Sequence, residues 1–295
     1  MSLPSAVSIR PLHHATNDTV RETHRQVDQG VQESPFISFT DMETLTSTLL
    51  ALEGNVDRPA PNPFDVYRIH VSQIISAITG ASPEVVFPAL QVARSLSEGD
   101  LILATAALQL ADADPSQLIR NKFPESVLVN HPVADHNNSL QFYFKPAPLA
   151  ALVLPQALDN TTCHIPRPKH QTPLDRQQAA FLQSSFDQLN SLLSTADIGV
   201  EQLLTADFSL LTEKSAVDIV RTLAHWPVVL GGTSSVKQPA DVSKYLLELA
   251  RLLEASYSQL DIGNGEQAVK IARLALYVSA QRVLTSGMQL LNSSY

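Results

Sequence analysis

The stretch AVKIARLALYVSAQRVLTSGMQLL, Ala268 to Leu291, constrains the fold more than any other. Val269, Ala272, Leu276, Ala280, Val283, Gly287 and Leu291 recur at steps of three and four, so on an α-helix they stack along one side. Ile271, Leu274, Ala275 and Val278 add a second apolar side in the first half, leaving mainly Lys270 and Arg273 for water. A helix apolar on two sides needs neighbours on both, so the rest of the chain has to supply a bundle around it.

The 295 residues, 44% of them hydrophobic, are enough to build that bundle and a second folded unit. The apolar stretches, such as Leu101 to Leu110, are much shorter than the ~20 residues a bilayer span needs, and the N-terminus lacks a basic start followed by an apolar region. The expectation is a cytoplasmic protein that does not enter a membrane. A single cysteine, Cys163, rules out an intrachain disulfide framework and a multi-cysteine zinc site, and no metal or cofactor is expected. A net charge of −9 argues against indiscriminate coating of nucleic acid, DNA included, but is compatible with one local basic face.

Along the chain, residues 1–40 are polar and without a sustained period, and read as a flexible arm. Phe39 to Glu53 has helical spacing with Thr40 and Glu43 as a capping box. Pro63 to Thr79 reads as a helix, opened by Asn62 and the first-turn Pro63 and stopped by Gly80. From Val85 the texture shifts to short apolar pieces. VVFPALQVA reads as a strand, the turn SEGD follows, and LILATAALQL is a further strand or a buried helix. Pro115 to Lys122 reads as a helix capped by Asp114. Val127–Asn130 and Leu140–Phe144 have strand propensity and flank the turn-forming ADHNNS, which predicts a hairpin. Leu149 to Leu158 is a last apolar piece. The polar, proline-broken, locally basic DNTTCHIPRPKHQTPLD marks the clearest boundary, and beyond it everything reads as helix: Gln177–Leu193, the run through TEKSAVDIVRTLAHWPVVL, Ala240–Tyr257 and the final helix, with GGTSSVKQP as the main break.

Two resemblances emerge from these segments. ADFSLLTEKSAVDIVRTLAHWPVVL, YLLELARLLEASY and ARLALYVSAQRVLTSGMQLLN are similar to the anticodon-binding (DALR) domain that closes arginyl-tRNA synthetases. NPFDVYRIHVSQIISAITGASPEVVFPALQ, SLSEGDLILATAALQL and SLQFYFKPAPLAALVLP resemble, in order and spacing, the N-terminal additional domain of the fungal-type enzymes, which touches the elbow of tRNA. The resemblance implies an arm (1–40), an α+β N-terminal domain (41–158), a linker (159–176) and an all-α DALR-like helical bundle (177–295).

In a complete arginyl-tRNA synthetase a long nucleotide-binding domain carrying the HIGH and KMSKS signatures lies between these two regions. The distance from Pro155 to Leu174 is far too short for it, and neither signature nor a glycine-rich phosphate loop is present. The pairing resembles a fungal group, the arginine-containing cyclodipeptide synthases. That resemblance implies an aminoacyltransferase that takes arginyl-tRNA and a second charged tRNA as partners and joins the two aminoacyl groups into a diketopiperazine. The alternatives are a non-catalytic tRNA-binding or synthetase-interacting module and a decayed fragment.

Candidate chemistry follows from that reaction, which needs a base for the attacking amine and can use an acyl carrier. Cys163 and His164 adjoin in the linker, with His170 and Asp175 nearby, and Arg167 and Lys169 would lower the thiol's pKa and meet RNA. A solvated hinge explains the same residues. Asp100 with Glu98, and Asp135 with His136, can meet a guanidinium bidentately, or are turn residues. Lys270, Arg273 and Arg282 are polar positions of the last helix where tRNA phosphates can bind, or plain surface. His70 reads as a satisfied, partly exposed histidine, and His225 with Trp226 as a packed helix end.

Overall fold

The computed structural model describes residues 62–93, 95–110, 114–135, 137–158, 174–194, 199–230, 242–263 and 265–292. The expected arm, the helix over 39–53, His136, the linker residues 159–173 with Cys163, His164, Arg167, Lys169 and His170, and the break at 231–239 lie outside them. The described residues open with α1 (Pro63–Thr79). Asn62 Oδ1 accepts from the Phe64 amide at 2.9 Å, Pro63 occupies the first turn, and Gly80 closes the helix at φ 73°, as the sequence predicts.

The next element corrects the reading of VVFPALQVA as strand alone. Ser82 accepts from the Glu84 amide and Pro83 pre-sets the first turn, so a second start signal produces α2 (Pro83–Ala89) before the chain straightens into β1 (Leu90–Val92). Local capping outweighs the β propensity of Val85, Val86 and Phe87. A 3₁₀ turn over Leu96–Glu98 then leads to β2 (Leu101–Ala104) and a second 3₁₀ turn over Thr105–Leu108. α3 (Pro115–Lys122) carries its expected Asp114 cap. The hairpin forms one step later than predicted, between β3 (Val133–Ala134) and β4 (Ser139–Phe142), while Val127–Asn130 contributes a single bridge, Val129 to Phe144. The predicted turn is there: Asp135 and Asn138 share its hydrogen bonds, and Asn138 adopts φ 56°. The four strands form an antiparallel sheet in the order β1-β2-β4-β3.

α4 (Pro146–Leu158) has no polar face, and the structure gives it none. It belongs to the first half by sequence, yet it packs on the helices of the second half. These are α5 (Arg176–Ser194), α6 (Val200–Leu204), α7 (Lys214–Ala224), α8 (Trp226–Val229), α9 (Val242–Ser256) and α10 (Gln267–Asn292). Leu149, Val153, Leu154 and Leu158 are buried, chiefly against α7 and α10, and burial of each side chain stabilises by about 1.5–3 kcal/mol. α10 is the surrounded helix its sequence requires: Ala272, Leu274, Ala275, Leu276, Tyr277, Ala280, Val283 and Leu284 are all buried, and α4, α5, α7 and α9 lie against it.

Its solvent face is narrower than expected. Arg273, assigned to water, is 14% exposed because it pairs with Glu213 and donates to the Asp261 carbonyl oxygen at 2.6 Å. At Gly287 α10 lies tight against α9, and a Cβ there would sit 2.5 Å from Cδ2 of Leu246, a fully buried side chain of α9. Gly287→Ala should therefore lower stability by ~1–3 kcal/mol, despite alanine's better helix propensity. Urea unfolding measures it, and an unchanged or raised midpoint would contradict this packing.

Candidate functional site

Alternation in SLQFYF sorts β4 into two faces. Leu140, Phe142 and then Phe144 point into the core, where Phe144 stacks on Tyr67 at 3.9 Å between ring centroids and Phe142 lies 5.8 Å from Phe123. Ser139, Gln141 and Tyr143 take the opposite face. Cross-strand pairing sets Gln91 beside Ile102, Ile102 beside Gln141, and Gln141 beside Val133, so these four form one row across the sheet. Ala104 and Ser139 form the next. None of these side chains is buried, Val133 is 50% exposed, and none carries a charge.

An uncharged open face cannot neutralise phosphates. It offers amide and hydroxyl groups for base edges or ribose and the Tyr143 ring for stacking, the equipment that single-stranded or looped RNA recognition uses. Exposed cations stand close by: Arg120 and Lys122 end α3, which packs next to β3.

At one margin the face meets the helical half. Asp100 immediately precedes β2 and follows Gly99, whose φ of 96° and 3.0 Å Cβ approach to the Phe142 carbonyl exclude a side chain. The Asp100 carboxylate is 1% exposed. Its Oδ1 accepts from Arg221 Nε at 2.7 Å and its Oδ2 from the Phe144 amide at 2.8 Å. Arg221, on α7 and 12% exposed, also donates from Nη2 to the Leu96 carbonyl at 3.0 Å and lies 5.9 Å from the Tyr143 ring. Beside it His225 packs on Phe64 with ring centroids 4.5 Å apart. Burial raises the Asp100 pKa against the opposing pull of Arg221 and the Phe144 amide, while burial, helped by Arg221, lowers His225 to about 4.

The residues singled out from sequence fare differently. Asp100 does meet a guanidinium, but the chain's own, so it is not available to an arginyl substrate. Asp135 is a turn residue of the hairpin, and Glu98 is exposed in the 3₁₀ turn. Asp175 caps α5, exchanging hydrogen bonds with Gln178 in a reciprocal box. Lys270 donates to the Gly263 carbonyl and Arg273 is held by Glu213, so both fasten the loop before α10, and the Arg273 charge is already paired; Lys270 and Arg282 are half-buried. His70 is satisfied as expected but buried, not partly exposed: Ser126 Oγ, which accepts from the Leu128 and Val129 amides, has its hydrogen left for His70 Nε2 at 2.8 Å. Trp226 is the packed helix end predicted, stacked on Tyr245. The alternation of Ser139, Gln141 and Tyr143 was readable in the sequence and overlooked, whereas nothing local marks Arg221.

Replacing Arg221 by leucine should destabilise by ~3–5 kcal/mol at pH 7, because it strands a buried carboxylate. A carboxyl whose folded pKa is raised above its unfolded value favours folding below the unfolded value and loses that contribution as pH rises through the folded one. The deficit of Arg221→Leu relative to wild type should therefore shrink as pH falls from 7 toward 4, and His225, relieved of the neighbouring charge, shifts the balance in the same sense. Urea unfolding of both proteins at several pH values reads this, and a pH-independent deficit would refute it.

Comparison with known proteins bears on the helical half. The DALR anticodon binding domain family matches residues 182–295. A probable cytoplasmic arginine–tRNA ligase of Schizosaccharomyces pombe is 32% identical over 120 residues, 41% of this chain and 19% of that protein. The mitochondrial and cytoplasmic arginine–tRNA ligases of Saccharomyces cerevisiae are 33% and 36% identical over 112 residues each, covering 38% of this chain and 17% and 18% of theirs. The chain thus spans less than a fifth of the length of these relatives. Residues 182–295 are thus similar to the DALR anticodon-binding domain, in a chain that has arginine–tRNA ligases among its relatives.

Proposed function

We propose that this chain handles charged tRNA, and that it is a tRNA-dependent synthase of arginine-containing cyclodipeptides. The observation that carries the reading is the junction: an α+β unit that resembles a tRNA-elbow domain packs directly on an anticodon-binding bundle. The interval from Leu158 to Leu174 is too short for a nucleotide-binding domain. Aminoacyl-tRNA makes such a domain unnecessary, because its ester bond already contains the activation. The Cys163 thiol takes one aminoacyl group from its ester as a thioester, freeing that tRNA as its terminal hydroxyl, and the α-amine of the other aminoacyl-tRNA then attacks the thioester, forming an amide and returning the thiol. Attack by the second amine then closes the ring and frees the other tRNA. Cys163, with His164 and His170, is the candidate acyl carrier and base, and the open sheet face with the neighbouring Arg120 and Lys122 is the candidate RNA contact.

The full chain, incubated with arginyl-tRNA and a second charged tRNA, should release an arginine diketopiperazine detectable by mass spectrometry. Absence of product with every second aminoacyl-tRNA would overturn the synthase. Cys163→Ala should abolish product and leave tRNA affinity unchanged; full turnover by this variant would assign the transfer to direct attack by the second amine. A non-catalytic tRNA-binding module, the second reading that the DALR match favours, binds charged and uncharged tRNA alike with strong salt dependence, whereas a synthase prefers the charged form. Under both readings Tyr143→Ala and Gln141→Ala should each weaken binding of an arginine-acceptor tRNA transcript, Tyr143→Ala by ~1–3 kcal/mol if a base stacks on the ring. Unchanged affinity in both variants would remove the sheet face from the interface.

A further inference from the structure

Asp100 and Arg221 sit on opposite halves of the chain, and their contacts converge on one residue of the open face. The Asp100 amide donates to the Phe142 carbonyl at 2.8 Å, and its carboxylate accepts from the Phe144 amide at 2.8 Å, so both bonds flank Tyr143. Arg221 reaches the same residue from the helical half. Its guanidinium lies 5.9 Å from the Tyr143 ring and binds the Leu96 carbonyl, next to Ser97, whose own carbonyl accepts from the Tyr143 hydroxyl at 3.3 Å. The hydroxyl is also 3.1 Å from Gln141 Oε1, which orients the amide beside it. The contacts close a loop from α7 through β2 and β4 to Tyr143 and Gln141, and back through the Leu96–Glu98 turn to α7.

We infer that Asp100 and Arg221 are positioning residues for RNA recognition: the helical half, through this ion pair, holds the open sheet face in its binding geometry. The inference rests on the proposed tRNA-binding role and extends it, since it makes the two halves one recognition surface instead of two tethered ones. A face whose aromatic and amide groups are already ordered gives up less conformational freedom when RNA arrives. Removing the clamp therefore weakens binding without removing any group that touches RNA.

Asp100→Asn tests this with a sign that electrostatics alone does not give. Asp100 is too buried to contact RNA, and deleting its negative charge would by Coulomb attraction strengthen binding of a polyanion. The asparagine keeps at most one of the two accepted bonds, because its amide nitrogen presents hydrogens to a donor. The expected result is a loss of affinity for an arginine-acceptor tRNA transcript of roughly fivefold or more, measured on the full chain well below its unfolding temperature. Equal or tighter binding overturns the inference. Arg221→Lys serves if the asparagine variant does not fold: it preserves the positive charge but cannot span Asp100 and the Leu96 carbonyl as a guanidinium does, so affinity should again fall, and wild-type affinity overturns the inference.

A double-mutant cycle with Tyr143→Ala separates positioning from a general structural effect. Once the ring is gone, the loss from Asp100→Asn should shrink, and fully additive losses would overturn the inference. Failure of the wild-type chain to bind tRNA at all would instead remove the reading beneath it, so the two failures are distinguishable.

Discussion

The architecture turns on a buried charge that has to be paired. Asp100 sits at a strand start where burial disfavours its ionised form, and it stays tied into the sheet because Arg221 arrives from a helix 121 residues later in the chain. Leaving either group alone would be costly, so the pair fixes the α+β unit and the helical bundle in one relative placement. Phe64 against His225 extends the same junction with a contact that has no charge to satisfy.

Hydrophobic packing makes the junction continuous with the core. α4 is almost entirely apolar, and it touches both halves. It lies against α10 on one side and meets α1 on another, so the core of the sheet unit runs into the core of the bundle. The chain's apolar final helix is thus served by elements from both halves. The α+β unit and the helical bundle share a core here, which is the physical basis for the proposal that they act as one surface.

The charge distribution bears on the proposed role. The net charge of −9 gives the molecule no excess of basic groups, and two of the cations marked from sequence as RNA contacts make internal contacts: Arg273 with Glu213, Lys270 with the Gly263 carbonyl. The described sheet presents a neutral face of amides, hydroxyls and one aromatic ring, and α3, which ends in Arg120 and Lys122, packs next to its β3 edge. Specific contact with bases and ribose suits such a surface better than phosphate-driven adhesion.

The sequence by itself determined the elements whose signals are local. α1 with its Asn62 and Gly80 ends, α3 with its Asp114 cap, the turn before β4, and the surrounded α10 follow from residue spacing and capping, which depend on neighbours a few positions away. Valines 85 and 86 misled because a Ser-Pro start three residues earlier overrode their β preference. The roles of Asp100, Arg221 and Arg273 were settled only by tertiary structure, since a charged residue in a turn or on a helix reads as surface until its partner is known. Those partners lie 60 to 121 residues away, where no local periodicity records them.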